Sequence, residues 1–176
     1  WEPNVAYEVS LGREQLARLA PQSRFAVADS AFNESELLAL GYEGTAVVPL
    51  LIDMQSKSDE PDAALMERLR GRKDREGGAD LLYVGKISPH KAPHDLVKML
   101  DVLRRTDDPA ARLHLIGSPL GETYEPALRA FIDELGLRDA VNLSGSVTGA
   151  ELEAYFRAAD VFVMASDHEG FCVPLA

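Results

Sequence analysis

Short apolar runs alternate with longer mixed segments along this chain, most regularly in its second half. Leu81-Leu-Tyr-Val84, Arg112-Leu-His-Leu-Ile116, Ala140-Val-Asn-Leu143 and Val161-Phe-Val-Met-Ala165 have strand length. Between them lie Asp95–Arg105, Tyr124–Leu135 and Glu151–Ala159, each long enough for a helix, the second stopped by Gly136. Short apolar strands, each followed by a helix, predict a parallel, Rossmann-like sheet with helices on both faces.

The first half is less regular. Glu8 to Ala20 reads as a helix with Val9, Leu16 and Leu19 on one side and Pro21 as its stop. Phe25–Ala28 reads as a short buried strand. Asp29-Ser30 lead into a capped helix, Asn33–Leu40, ended by Gly41, and Thr45–Ile52 is the next strand. This single βαβ unit is too small to stand alone. A polar stretch follows, with one helix near Pro61–Arg70 and a hydrophilic loop from Gly71 to Gly78. The pattern thus predicts an α/β protein in three parts: residues 1–54 as part of one α/β domain, 55–79 as a linker, and 80–176 as a Rossmann-like domain. The last turn leads into a helix with Pro174 in its first turn, so the chain reads as cut from something longer.

Composition narrows the partners. The net charge of −11 and a pI near 4.8 make nucleic acid and anionic lipid poor partners, since both demand a basic face. No apolar run approaches the ~20 residues that span a bilayer, and the start lacks the pattern of a secretory signal. The single Cys172 rules out an internal disulfide and a multi-cysteine zinc site. A cytoplasmic location is expected, with contact to a membrane surface left open.

In a parallel sheet, the turns that leave the strands' carboxyl ends share one edge, where ligands bind in open α/β folds. Here those turns are Gly85-Lys86, Gly117-Ser118, Ser144-Gly145-Ser146 and Asp167-His168-Glu169-Gly170. Glycine there admits a ligand close to the backbone. The N–H groups of Gly170, Phe171 and Cys172 would stand at the positive end of the last helix, an anion site. Lys86 and Lys91 add two ammonium groups on one loop of an acidic protein. Both reach a pyrophosphate held at the Glu169–Cys172 helix start only if the first and last strands of the domain are close in space.

Other constellations fail on geometry. His168 and Cys172 straddle a loop-to-helix boundary with no third group for a nucleophile. Asp167-His168-Glu169 are adjacent and converge poorly on one ion. His90 and His94 have zinc-pair spacing, but Pro93 lies between them and no third ligand is in view.

The ordered set of segments resembles the family 4 (group 1) glycosyltransferases of the GT-B fold. Tyr83-Val-Gly-Lys-Ile-Ser-Pro-His-Lys-Ala92 is similar to that family's V-G-R-x-x-P-x-K-G loop. Ser166-Asp-His-Glu-Gly-Phe-Cys-Val-Pro-Leu-Ala176 is similar to its E-G-F-x-x-P-x-x-E motif. Leu115-Ile-Gly117, Leu135-Gly-Leu137, Val141–Val147 and Glu151–Phe156 fall between in the family's order. Ala28–Glu34 and Val47–Leu50 resemble the close of its acceptor-binding domain.

The resemblance implies roles. Lys91 would hold the donor's phosphates, with Lys86 where the family usually has arginine, so the charge is kept but the bidentate fork is lost. Glu169 would face the donor sugar as the first glutamate of the motif. Backbone groups of Gly170, Phe171 and Cys172 would cradle the pyrophosphate, and Gly85, Gly117 and Val173 would belong to the same donor-binding site. Ser146 and Val147 would lie near the nucleobase. Ala92 replaces the usual glycine, a minor departure. The implied activity is metal-independent and cofactor-free: retaining transfer of a sugar, mannose being one option among hexoses, from a nucleotide diphosphate sugar to an acceptor hydroxyl. A glycan or lipid-linked glycan acceptor in polysaccharide or glycolipid biosynthesis is expected. The alternatives are a non-catalytic nucleotide or sugar-phosphate binding module, or an epimerase or phosphorylase of GT-B shape.

Overall fold

The computed structural model describes residues 3–50 and 59–167, which fall in two compact units, one within 1–54 and the other within 55–168. In the first unit, helix α1 (Pro3–Leu19) precedes strand β1 (Ala26–Ala28), helix α2 (Ala31–Ala39) and strand β2 (Thr45–Val47). The strands pair in parallel, with Val27 opposite Ala46. Helix α2 starts where the sequence places a cap: the Ser30 hydroxyl accepts from the Asn33 N–H at 3.2 Å. Tyr42 ties the unit together, its hydroxyl donating to the Leu16 carbonyl at 3.0 Å.

The expected buried strand at Phe25–Ala28 is corrected. Only Ala28 is buried, while Phe25 is 60% and Val27 57% exposed. A two-stranded sheet with one covering helix shields little, so most of this strand's apolar surface stays open to solvent. Strand β2 ends at Val47, short of the expected Ile52, which lies outside the described residues with Leu51.

The second unit opens with helix α3 (Ala63–Glu76), capped by the Asp62 carboxylate, which accepts from the Leu65 N–H at 2.7 Å. Then come β3 (Asp80–Val84), α4 (Pro93–Thr106), β4 (Arg112–Ile116), α5 (Tyr124–Glu134), β5 (Val141–Gly145), α6 (Gly149–Ala158) and β6 (Val161–Phe162). The four strands form one parallel sheet in the order β5-β4-β3-β6. The sheet order reverses direction at β3: the chain winds outward through β4 and β5, then returns through α6 to set β6 on the other side.

Alternating side chains divide the core between two faces. Leu81, Tyr83, Leu113 and Leu115 pack with Leu96, Val97 and Leu100 of α4 and Leu128 and Ile132 of α5. Leu82 and Ile116 pack on the opposite face with Leu65 and Met66 of α3 and Ala154 and Tyr155 of α6. Helices cover both faces, as the strand–helix alternation predicts.

Two local expectations differ. The stretch Gly71–Gly78, expected as a loop, is helical to Glu76, and α3 packs against α6 within the second unit. Its charges are paired rather than merely solvated: Arg72 Nε donates to Glu76 at 3.0 Å, and Lys73 pairs with Asp160. Strand β6 ends at Phe162, not Ala165, although the Val163 N–H still donates to the Leu82 carbonyl at 2.8 Å.

Candidate functional site

Because β3, β4 and β5 are parallel, the turns that leave them share one edge, and there they interlock. The Gly85 N–H donates to the Ile116 carbonyl and the Gly117 N–H to the Gly145 carbonyl, both at 2.9 Å. A Cβ on Gly117 would stand 1.9 Å from the Gly85 oxygen, and Gly117 has φ +144°. No residue but glycine fits. Pairing continues beyond the strands, for the Ile87 N–H donates to the Ser118 carbonyl and the Leu120 N–H to the Ile87 carbonyl, both at 3.0 Å. The first two turns therefore form one rigid ledge, with Gly145, Ser146 and Val147 beside it.

The two lysines sit on this ledge and its continuation. Lys86 is exposed, its ammonium donating to the Ser118 hydroxyl at 3.0 Å. Lys91 is half-buried and closes a 3-10 turn, Pro89–Lys91, just before α4. Ala92 joins turn to helix at φ 47°, ψ 42° and is 1% exposed. Its place in the left-handed region explains why glycine suits this position and makes the alanine a conformational cost, not a minor departure.

Strand β6 pairs with β3 on the side away from β4, and beyond it the Asp167 N–H donates to the His90 carbonyl at 2.9 Å. The first and last strands are therefore neighbours, as convergence on one ligand requires. Of the four expected turns, those at Gly85, Gly117 and Gly145 line one edge; the fourth, with Glu169, Gly170, Phe171, Cys172 and Val173, lies outside the described residues.

The nearby His94 is engaged elsewhere. The His94 Nδ1 and the Tyr124 hydroxyl lie 2.7 Å apart, joining the starts of α4 and α5. Burial pushes the Tyr124 phenol above its ordinary range, keeping it protonated. Among the described residues, no three His, Cys, Asp or Glu side chains come together as a metal site.

Two features escaped the sequence reading. At the opposite edge of the sheet, Asp80 accepts from Arg112 Nε at 2.8 Å and lies 3.2 Å from His114 Nε2, with all three side chains buried. Burial raises the Asp80 carboxyl, but hydrogen bonds from His114 and Arg112, with the guanidinium charge, outweigh it and hold it at about 2. The strand pattern concealed this, since Arg112 and His114 read simply as polar positions in an apolar run. The second feature is a cavity of about 660 Å³ along β5, between α3 and α6. Arg68 and Arg72 line one wall, Asn142, Ser144 and Tyr155 the floor, and Ser146 and Val147 one end. Lys86 and Lys91 do not line it.

Comparison with known proteins agrees with this geometry. Residues 66–176 match the model of the family described as glycosyl transferases group 1. The chain is 31% identical over 167 residues to the D-inositol 3-phosphate glycosyltransferase of Geodermatophilus obscurus, covering 92% of this chain and 36% of that protein. It is 37% identical over 108 residues to the GDP-mannose:cellobiosyl-diphosphopolyprenol alpha-mannosyltransferase of Xanthomonas campestris, covering 60% of this chain and 27% of that one. The chain thus spans well under half the length of these relatives. Among solved structures, Anabaena HepE in complex with UDP and glucose superposes with a TM-score of 0.74 at 18% identity, over 93% of this chain and 44% of that one. Sucrose-phosphate synthase from Thermosynechococcus elongatus gives 0.69 at 22% identity, over 90% and 39%. These likenesses show the fold, a GT-B arrangement of a parallel sheet between helices. With its ledge of glycine turns on that sheet and more than half its length matched, the chain belongs to the glycosyl transferases group 1 family.

Proposed function

We propose that this chain forms the donor-binding side of a retaining, family 4 glycosyltransferase that takes a sugar from a nucleotide diphosphate sugar. The carrying observation is the meeting of the Lys86–Lys91 loop with the chain leaving β6, through the 2.9 Å hydrogen bond from Asp167 to His90. Lys86, Lys91 and the glycine ledge face the edge where open α/β sheets bind ligands. Catalysis in this reading rests on stabilising the leaving diphosphate by fixed cations and N–H groups, without metal or cofactor. Glu169 orients the sugar, Gly170–Val173 cradle the diphosphate, and Ser146 and Val147 flank the base. The relatives' names include inositol phosphate and a lipid-linked glycan, which supports a hydroxyl acceptor of either kind, with mannose among the candidate sugars.

Calorimetric titration of UDP and uridine, with GDP and guanosine in parallel, tests the site. Lys91→Ala should weaken the diphosphate by ~10- to 150-fold, the ratio for a charge-assisted contact of ~1.5–3 kcal/mol, and leave the nucleoside unchanged. Equal losses for both would assign Lys91 to folding. A chain that binds nucleoside and diphosphate alike would favour a binding module without phosphate chemistry.

A further inference from the structure

Beneath the ledge lies a group with no role in the reading above. Tyr83 is 1% exposed and belongs to the core on the α4–α5 face, yet its hydroxyl emerges at the carboxyl edge and donates to the Lys86 carbonyl at 2.9 Å. It can do so only because residue 85 is glycine: a Cβ there would stand 2.6 Å from the Tyr83 oxygen and 2.9 Å from its ring. A ring fixed in a packed core cannot swing aside at low cost. Above the turn, the Lys86 ammonium donates to the Ser118 hydroxyl at 3.0 Å. Ser118 in turn is fixed by the ladder that runs from Ile87 to its carbonyl at 3.0 Å.

We infer that Tyr83 and Ser118 are positioning residues for Lys86, gripping it at both ends so that the ammonium is held ready for the donor's diphosphate. The inference rests on the diphosphate reading of this edge. A lysine ammonium lacks the planar fork that fixes a guanidinium to phosphate, and its four-carbon stem rotates freely unless it is held. Holding the backbone from below and the ammonium from the side removes much of that freedom before the ligand arrives. An ammonium has three N–H donors; one engages Ser118 and two remain for phosphate oxygens. Gly85 accordingly has a second task besides admitting the ligand. It makes room for the hydroxyl that props the next residue.

The test uses the 176-residue chain and inorganic pyrophosphate, which carries the charge without a base, titrated by calorimetry and by amide shifts of Lys86 and Ile87. Tyr83→Phe and Ser118→Ala should each weaken pyrophosphate about 2- to 10-fold, the ratio for one hydrogen bond. Both effects should vanish in a Lys86→Ala background and persist in a Lys91→Ala background. Gly85→Ala, which displaces the hydroxyl, should reproduce the loss. A Tyr83→Phe loss that survives in Lys86→Ala would show a general structural effect and overturn the inference. Ser118→Ala does not disturb the core and keeps the test open should Tyr83→Phe unfold; an unchanged affinity there, with wild type binding normally, overturns it too. Wild type that binds neither pyrophosphate nor any nucleoside diphosphate fails the underlying reading first, and the inference with it.

Discussion

At the scale of single residues, glycine positions in this chain are not equivalent, and the difference is measurable. Gly136 ends α5 at φ +70° with open space where a Cβ would go. Replacing it by alanine should cost about 1 kcal/mol, the left-handed penalty alone. Gly117 at φ +144° has no such space, with the Gly85 oxygen 1.9 Å from the would-be Cβ. Gly117→Ala should cost at least ~3 kcal/mol, or push the two turns apart. Urea unfolding of the two variants side by side would show it; equal losses would mean that the turns yield and that the ledge is soft. The turn glycines were legible in the sequence because strand-to-helix turns in a parallel sheet must carry small residues at one edge. Their mutual contact was not, since it depends on the 32-residue excursion from Gly85 to Gly117 closing in register. The Tyr83 hydroxyl was invisible for the same reason: a tyrosine inside an apolar run reads as core, and it is core everywhere but at its tip.

At the scale of elements, the central strands were the easiest to read. The run from Arg112 to Ile116 is β4 to the residue, because all five positions are buried in the sheet centre. Helix α3 was the hardest. Its second half, Gly71-Arg-Lys-Asp-Arg-Glu76, is charged and opens on a glycine, so local propensity argues for a loop. Tertiary partners decide otherwise, with Leu65 and Met66 buried and Lys73 reaching Asp160, 87 residues away. The junction of α3, β3 and β4 is held by charge. Asp80 is the hub, and its depressed carboxyl links stability to pH. A carboxyl at about 2 when folded, against an ordinary 3.8, contributes its stability fully above pH ~4. That contribution, about 2 kcal/mol on a scale of 1.36 per pH unit, is lost as the pH falls from ~4 towards 2. Wild type should therefore lose stability steeply across that window. Asp80→Asn should start lower, because it leaves the buried Arg112 charge with only the longer Glu76 pair at 3.5 Å, and lose less on acidification. Parallel acid slopes for the two proteins would remove Asp80 from the account.

At the scale of the whole molecule, the chain is two compact units of unequal completeness. The second has a two-sided core. The first leaves Phe25, Val27, Phe32 and Val48 more than half exposed, apolar surface of the kind that a larger sheet covers. None of the described helices is long and apolar enough to cross a membrane.

The order of the strands in the sheet also dictates an order in time. Strands β3, β4 and β5 join neighbours in sequence, each closing a loop of some 30 residues, whereas β6 must return across α6 to a strand 80 residues earlier, Leu81 opposite Val161. Loop closure costs more over the longer span, and an early three-strand nucleus needs none of it. The strand that brings the chain after Phe162 against the lysine loop should be the last to dock and the first to leave. Phe162, which stacks on Phe156 at 6.0 Å between ring centroids, reports on that step. Phe162→Leu should accelerate unfolding while leaving the folding rate nearly untouched, a φ-value below ~0.3, whereas Leu113→Ala in the sheet centre should slow folding. Stopped-flow chevrons would decide it, and a high φ-value at Phe162 would mean that the junction of β6 with the lysine loop assembles first. With the expected order, this junction opens by release of one two-residue strand while the glycine ledge stays folded, so a nucleotide held there as proposed should slow unfolding far more than it speeds folding.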